Sequence, residues 1–159
     1  MRLSGALPPV FLAFLFTIAG GLPSISQSTA AEMLQVNAAT ELKAGQNGHF
    51  FVKAEINGNT VNVMVDTGAS AVALSYEDAS DIGLHPRNLD FNVPVSTANG
   101  IAKAASVTLD KVEIDSVKVS NVQGLVMPEG VMRGSLLGMS FLSKLQSFKV
   151  EDGVLYLKN

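Results

Sequence analysis

From residue 49 onward, apolar side chains recur at every second position in short runs separated by turn residues, the pattern of strands half buried in a sheet. Residues 49–56 form the first run, and Asn57-Gly58-Asn59 after it reads as a hairpin turn, since Asn and Gly tolerate positive φ. Over 60–65, Val61, Val63 and Val65 fall on one face of a strand. A break rich in small residues, Asp66-Thr67-Gly68-Ala69-Ser70, precedes a further short strand over 71–74. Ser75 placed three residues before Asp78 resembles a capping box with Asp in the acidic position, and predicts a helix over 76–82 ended by Gly83. His85-Pro86 marks a loop. Strands are expected over 91–97 and 101–109 around Asn99-Gly100, a strong short-range hairpin signal, and again over 112–119 and 122–126. Pro128-Glu129-Gly130 is a loop, and 135–145 reads as a turn into a short amphipathic helix. Residues 148–150 and 154–157, joined by Glu151-Asp152-Gly153, form a closing hairpin. Many short strands with one or two short helices predict an all-β fold, a small barrel or sandwich.

The N-terminal stretch has a different pattern. Arg2 is the only charge before Glu32, and the thirteen residues 10–22 contain neither charge nor proline. That run is short for a spanning helix, which needs about 20 apolar residues, and fits the apolar core of a secretory signal peptide behind a minimal Met1-Arg2 head. Pro23 ends it, and small residues through Ala30 and Ala31 suit a signal peptidase. The alternative is an uncleaved membrane anchor, with a tether through residues 3–25. Either way the expectation is an exported protein, periplasmic or membrane-anchored facing the periplasm. Residues 1–31 are thus a signal peptide or anchor, 32–47 a leader or short strand, and 48–159 the folded domain.

Composition narrows the chemistry. Of 159 residues, 47% are hydrophobic and 16% charged, which excludes wholesale disorder. The net charge of −3 offers no basic surface for nucleic acid. Cysteine is absent and only His49 and His85 supply imidazoles, so thiol catalysis, disulfides and multi-histidine metal centres are excluded, and neither metal nor cofactor is expected. Asp78, Asp81 and Asp90 lack the spacing of an EF-hand and read as a solvated helix face. His49 and His85 read as structural and surface histidines, and Met127, Met132 and Met139 as core or loop filler.

Asp66 is the sharpest candidate. A carboxylate at the end of an apolar strand is costly to bury unless it is hydrogen-bonded or functional. Gly68 allows the backbone to approach it and donate an amide. Taken alone, the same residues also describe an ordinary strand-ending turn. Two later features alter that balance: Leu136-Leu137-Gly138 opening a helical segment, and the hairpin Thr97-Ala98-Asn99-Gly100 between the two.

In that order, these elements resemble the retropepsin-like aspartic proteases, closest to the bacterial single-domain type. The similarity runs from about residue 48 to 157. It implies a small closed barrel of the retropepsin type and an aspartic endopeptidase. Asp66 would be the catalytic carboxylate. Thr67 would link two loops across a dimer axis, Gly68 would support the carboxylate, and Ala69 and Ser70 would complete and brace the loop. Residues 96–102 would form a flap over substrate. Only one Asp-Thr-Gly is present, so the resemblance implies a homodimer in which two copies of Asp66 share a proton and activate water, with a peptide or protein as substrate. Departures from the wider clan are Ser70, where retroviral enzymes carry Asp, and a flap without an aromatic residue near Asn99-Gly100. A different class of function, a catalytically silent module that binds peptides or dimerises through the same fold, is the competing expectation.

Overall fold

Strand alternation and turn chemistry are realised through most of the chain. The computed structural model describes residues 39–45, 47–98 and 100–159. The expectations for 1–31, for the start of the leader and for Asn99 lie outside the described residues. The strands are β1 (Ala39–Lys43), β2 (Phe50–Ile56), β3 (Asn59–Val65), β4 (Val72–Leu74), β5 (Phe91–Thr97), β6 (Gly100–Ile114), β7 (Val117–Val126), β8 (Ser135–Leu137), β9 (Ser147–Glu151) and β10 (Val154–Lys158). Two short helices accompany them, α1 (Tyr76–Asp81) and α2 (Met139–Leu142).

Local chemistry explains the joints. Asn57 and Gly58 both take positive φ, 51° and 84°, so the two-residue turn matches the twist of β2 and β3. Asp152 and Gly153 repeat the device between β9 and β10. The Ser75 hydroxyl accepts from the Asp78 amide at 3.0 Å and caps α1.

Two expectations are corrected. Residues 112–119 are not one strand: Ile114 pairs with Val117 across a tight turn at Asp115-Ser116, where Asp115 takes φ 49°. Asp tolerates that conformation, and the turn shows in the sequence only as two successive polar residues where the apolar alternation of Val112 and Ile114 shifts phase to Val117 and Val119. The segment opening at Ser135 is a strand rather than a turn, because β8 pairs with two distant strands at once.

Six strands close into a ring in the order β2-β3-β8-β4-β7-β6, with β6 returning to β2 through Glu55↔Glu113 and Ile56↔Val112. β5 extends the ring outward from β6. A separate three-stranded sheet, β1-β10-β9, brings a strand from the 32–47 segment against the C-terminal hairpin. Thr40 Oγ1 donates to Asp115 Oδ2 and Ser116 Oγ to the Ala39 carbonyl, tying β1 to the β6–β7 turn. The ring interior is filled by fully buried Phe141, Ile56, Leu74, Leu109, Ile114 and Leu137. Each such side chain contributes roughly 1.5–3 kcal/mol through removal from water. Glu113 lies buried near the end of β6 between Lys111 at 2.6 Å and Lys118 at 2.8 Å. Hydrogen bonds from those two lysines hold its carboxyl below the usual carboxylate range.

Candidate active site

The site is built where β8 passes between β3 and β4, strands that are consecutive in sequence. Met64 and Val65 pair in parallel with Leu136 and Leu137, while Ala73 pairs antiparallel with Leu136. The chain from Asp66 to Ala71 must therefore arch over the end of β8. Three main-chain contacts hold the arch. The Asp66 amide donates to the Leu137 carbonyl at 3.1 Å, the Ala69 amide to the Asp66 carbonyl at 3.3 Å, and the Met139 amide to the Ala69 carbonyl at 2.8 Å. The approach is so close that a Cβ on Gly138 would lie 2.2 Å from the Ala71 oxygen and 2.6 Å from the Ala69 oxygen. Gly138 is thus required by packing.

Within the arch, Asp66 is half-buried, and its Oδ1 accepts from the Gly68 amide at 2.8 Å. A charge-assisted bond of this kind orients the carboxylate. Thr67, Gly68 and Ser70 are exposed and Ala69 is half-buried. The hydroxyl that ties the arch to its surroundings belongs to Ser140, which the sequence does not single out. Ser140 Oγ accepts from the Val72 amide at 2.9 Å and donates to the Gln123 carbonyl at 2.7 Å, joining β4, α2 and β7.

The arch forms one wall of an open cleft of about 800 Å³. The opposite wall is β5 and the tip that follows it, from Val93 to Ala98. Thr97 pairs with Gly100 across the tip, its hydroxyl donating to the Gly100 carbonyl at 2.8 Å, and Gly100 takes φ 112°. The structure thus brings Asp66, Gly68, Ala69 and Ser70 to the same cleft as Thr97 and Ala98. Leu136 faces that cleft, whereas Leu137 points into the ring core and is fully buried.

The cleft floor includes residues that alternation alone assigns to the core. Leu125 and Met127 of β7 and its continuation, with Ala71 and Ala104, form a small apolar cluster separate from the ring interior. Val93, Val95 and Met132 pack against it. Met127 is buried in this cluster as expected of a core residue, and both it and Met132 also line the cleft. No local signal marks them, because their exposure to the cleft depends on where β5 folds back. Asp78 also departs from the solvated face expected for it: it is half-buried and accepts a bond from the buried Ser135 hydroxyl, which itself receives the Ser75 amide at 3.0 Å. Asp81 and Asp90 are exposed as expected.

Comparisons with known proteins bear on this geometry. A family model described as gag-polyprotein putative aspartyl protease matches residues 52–144. An uncharacterized protein from the cobV 5′ region of a Sinorhizobium species is 46% identical over 113 residues, covering 71% of this chain and 48% of that protein. An uncharacterized protein of Rickettsia prowazekii is 39% identical over 111 residues, covering 70% of this chain and 47% of that protein. The chain spans about half the length of these curated relatives. Among solved structures, a retropepsin-like aspartic protease from Rickettsia conorii superposes with a TM-score of 0.68 at 36% identity, covering 75% of this chain and 89% of that one. EIAV protease in complex with the inhibitor HBY-793 superposes with a TM-score of 0.52 at 18% identity over 64% of this chain and 91% of that one, a likeness of fold alone.

Proposed function

The chain belongs to the retropepsin-like aspartic protease family, and on that premise we propose that it is an aspartic endopeptidase whose site is completed by a second copy of itself. The single observation carrying this reading is the placement of Asp66. Its carboxylate is held by the Gly68 amide at the mouth of a cleft whose far wall is a β-hairpin. One carboxylate cannot both activate a water and donate a proton to the scissile carbonyl. Two copies of Asp66 related by a two-fold axis can, because like charges at close range ionise in two separated steps and share one proton between them. The ionised member then takes a proton from the attacking water. The protonated member hydrogen-bonds the carbonyl oxygen as the tetrahedral centre forms.

The other roles follow from the same proposal. Thr67, exposed at the crest of the arch, is available to bond the partner's loop across the axis. Gly68 orients the carboxylate. Gly138 lets β8 pass beneath the arch, and the 96–102 hairpin closes over an extended peptide and excludes water. The same reading places the folded part outside the cytoplasm, delivered by the uncharged run 10–22 behind Arg2 and either released after Ala30 or Ala31 or retained by a tether through residues 3–25. Mass measurement of the exported protein's N-terminus distinguishes release from retention.

The decisive experiment is a peptide-library digest at several pH values with wild type and Asp66→Asn. Asn is nearly isosteric but can neither share the proton nor act as base, so cleavage is expected to vanish while the melting curve stays near that of wild type. Cleavage by the variant at the wild-type rate overturns the proposal. Specific activity is also expected to fall on dilution as dimers dissociate. A monomer in the ultracentrifuge that cleaves at full rate refutes the shared site.

A further inference from the structure

The strand register places one apolar row across four strands on the outer face of the ring. Phe51 pairs with Met64, Met64 with Leu136, and Leu136 with Ala73. Cross-strand partners point to the same side of a sheet, and their sequence neighbours point to the other. Of those neighbours, Val63, Ser135, Leu137, Val72 and Leu74 are buried, and Phe50, Val52 and Val65 are half-buried and packed against the ring core, so the row itself faces outward. Leu136 and Ala73 already line the cleft. The row therefore continues the cleft floor past its edge to Phe51, whose side chain is 66% exposed. The remaining outward pairs of β2 and β3 are polar, Lys53 with Asn62 and Glu55 with Thr60, and all four of those residues are exposed. Only the pair that abuts the cleft is apolar. His49 stands edge-on to the Phe51 ring at 6.4 Å.

We infer that this row is an outer subsite of the cleft, with Phe51 and Met64 selecting a large apolar side chain of the peptide substrate. The inference rests on the proposed peptidase reading and adds a specificity determinant to it. Phe51 pairs with Met64, two residues before Asp66 on the neighbouring strand. With strands about 4.8 Å apart and a rise of ~3.4 Å per residue, Phe51 stands roughly 8 Å from Asp66, a distance an extended peptide covers in about two to three residues. The selected side chain is accordingly the third or fourth from the scissile bond. A peptide is a better occupant than a random contact because the row is continuous with the cleft and ends where the charged pairs begin.

The test is a panel of decapeptides that differ only at those positions, Phe against Ser, cleaved by wild type, Phe51→Ala and Val150→Ala. Val150 is an equally exposed apolar residue on β9, away from the row. Wild type is expected to favour the Phe peptide by about tenfold in kcat/KM, the scale of one partly buried apolar side chain. Phe51→Ala is expected to bring that ratio close to one, and Val150→Ala to keep it. A Phe51→Ala enzyme that retains the ratio overturns the subsite. So does one that retains the ratio but sediments as a weaker dimer, because the row is then the seat of a second copy. The same panel is measured for binding to Asp66→Asn. If wild type cuts nothing, hydrolysis fails as a reading, and the binding ratio alone decides the row: tenfold tighter binding of the Phe peptide supports it, and equal binding overturns it.

Discussion

The two walls of the cleft are both shaped by a glycine, and the two glycines serve opposite physical needs. Gly138 has an ordinary extended conformation but no room, since a Cβ there would meet two main-chain oxygens of the arch that carries Asp66. Gly100 has open space around its missing Cβ but sits at φ 112°, a conformation that other residues adopt only under strain. The arch is thus built by packing and the hairpin by backbone freedom. One wall is clamped by main-chain bonds to β8 and by the Ser140 hydroxyl. The other projects beyond the closed ring, strand-paired among the described residues with β6 and packed on the apolar cluster of the cleft floor. A rigid wall suits a carboxylate that must be held in place, and a projecting hairpin suits a flap.

Substitutions can break this contrast in graded steps. Gly138→Ala is expected to have the largest effect. The clashing atoms are backbone, which cannot swing aside, so a loss of about 3–5 kcal/mol is expected and with it the cooperative melting transition. A variant that melts near the wild-type temperature shows that the arch is softer than its contacts indicate. Gly100→Val comes next. The strain should cost ~1–3 kcal/mol while the fold survives, yet turnover should fall strongly if closure of the tip completes the site. A variant with a lowered Tm and unchanged kcat and KM shows that residues 96–102 are not a flap. Ser140→Ala should cost about 1–2 kcal/mol, because it leaves the buried Val72 amide without its acceptor. That loss should appear in hydrogen exchange at Val72 before it appears in global melting. If exchange there is unchanged, another group holds the arch.

The smallest effect is expected far from both walls. Hydrogen bonds from Lys111 and Lys118 hold the Glu113 carboxyl below the usual carboxylate range. A carboxyl lowered in the folded state stabilises the fold fully above its unfolded value, and that contribution is lost as the pH falls through the lower, folded one. Glu113→Gln should therefore lower Tm slightly near neutrality and converge on wild type only in acid, once the pH has fallen through the lowered folded-state value. Parallel Tm–pH curves for the two proteins remove this role from the ion pairs. A cleavage defect in Glu113→Gln blurs the separation between the barrel end and the cleft.

How much of this was legible depended on the range of each interaction. Asp66-Thr67-Gly68 could be read directly, because the amide that holds the carboxylate lies two residues away. The turns at Asn57-Gly58 and Asp152-Gly153 and the cap at Ser75 were legible for the same reason. Asp115-Ser116 was not, since the turn lacks glycine and its only mark is a one-residue phase shift between the apolar positions 112 and 114 and those at 117 and 119. β8 was misread because three residues show no period, and only its pairing with β3 on one side and β4 on the other makes it a strand.

By itself, then, the sequence determined an all-β chain with its glycine-marked turns, a single carboxylate in a glycine-supported loop, and the uncharged N-terminal run. Each of these is written in residues within a few positions of one another, where backbone preference and side-chain chemistry act directly. The tertiary structure decided that β8 threads beneath the Asp66 arch and that Ser140 braces it. It also decided that Leu125 and Met127 floor a cleft, and that Phe51 shares a row with Leu136. Those relations join residues from 17 to about 85 positions apart. Alternation states that a side chain faces one side of a strand, and only the closure of the ring and the fold-back of β5 determine whether that side meets core, cleft or solvent.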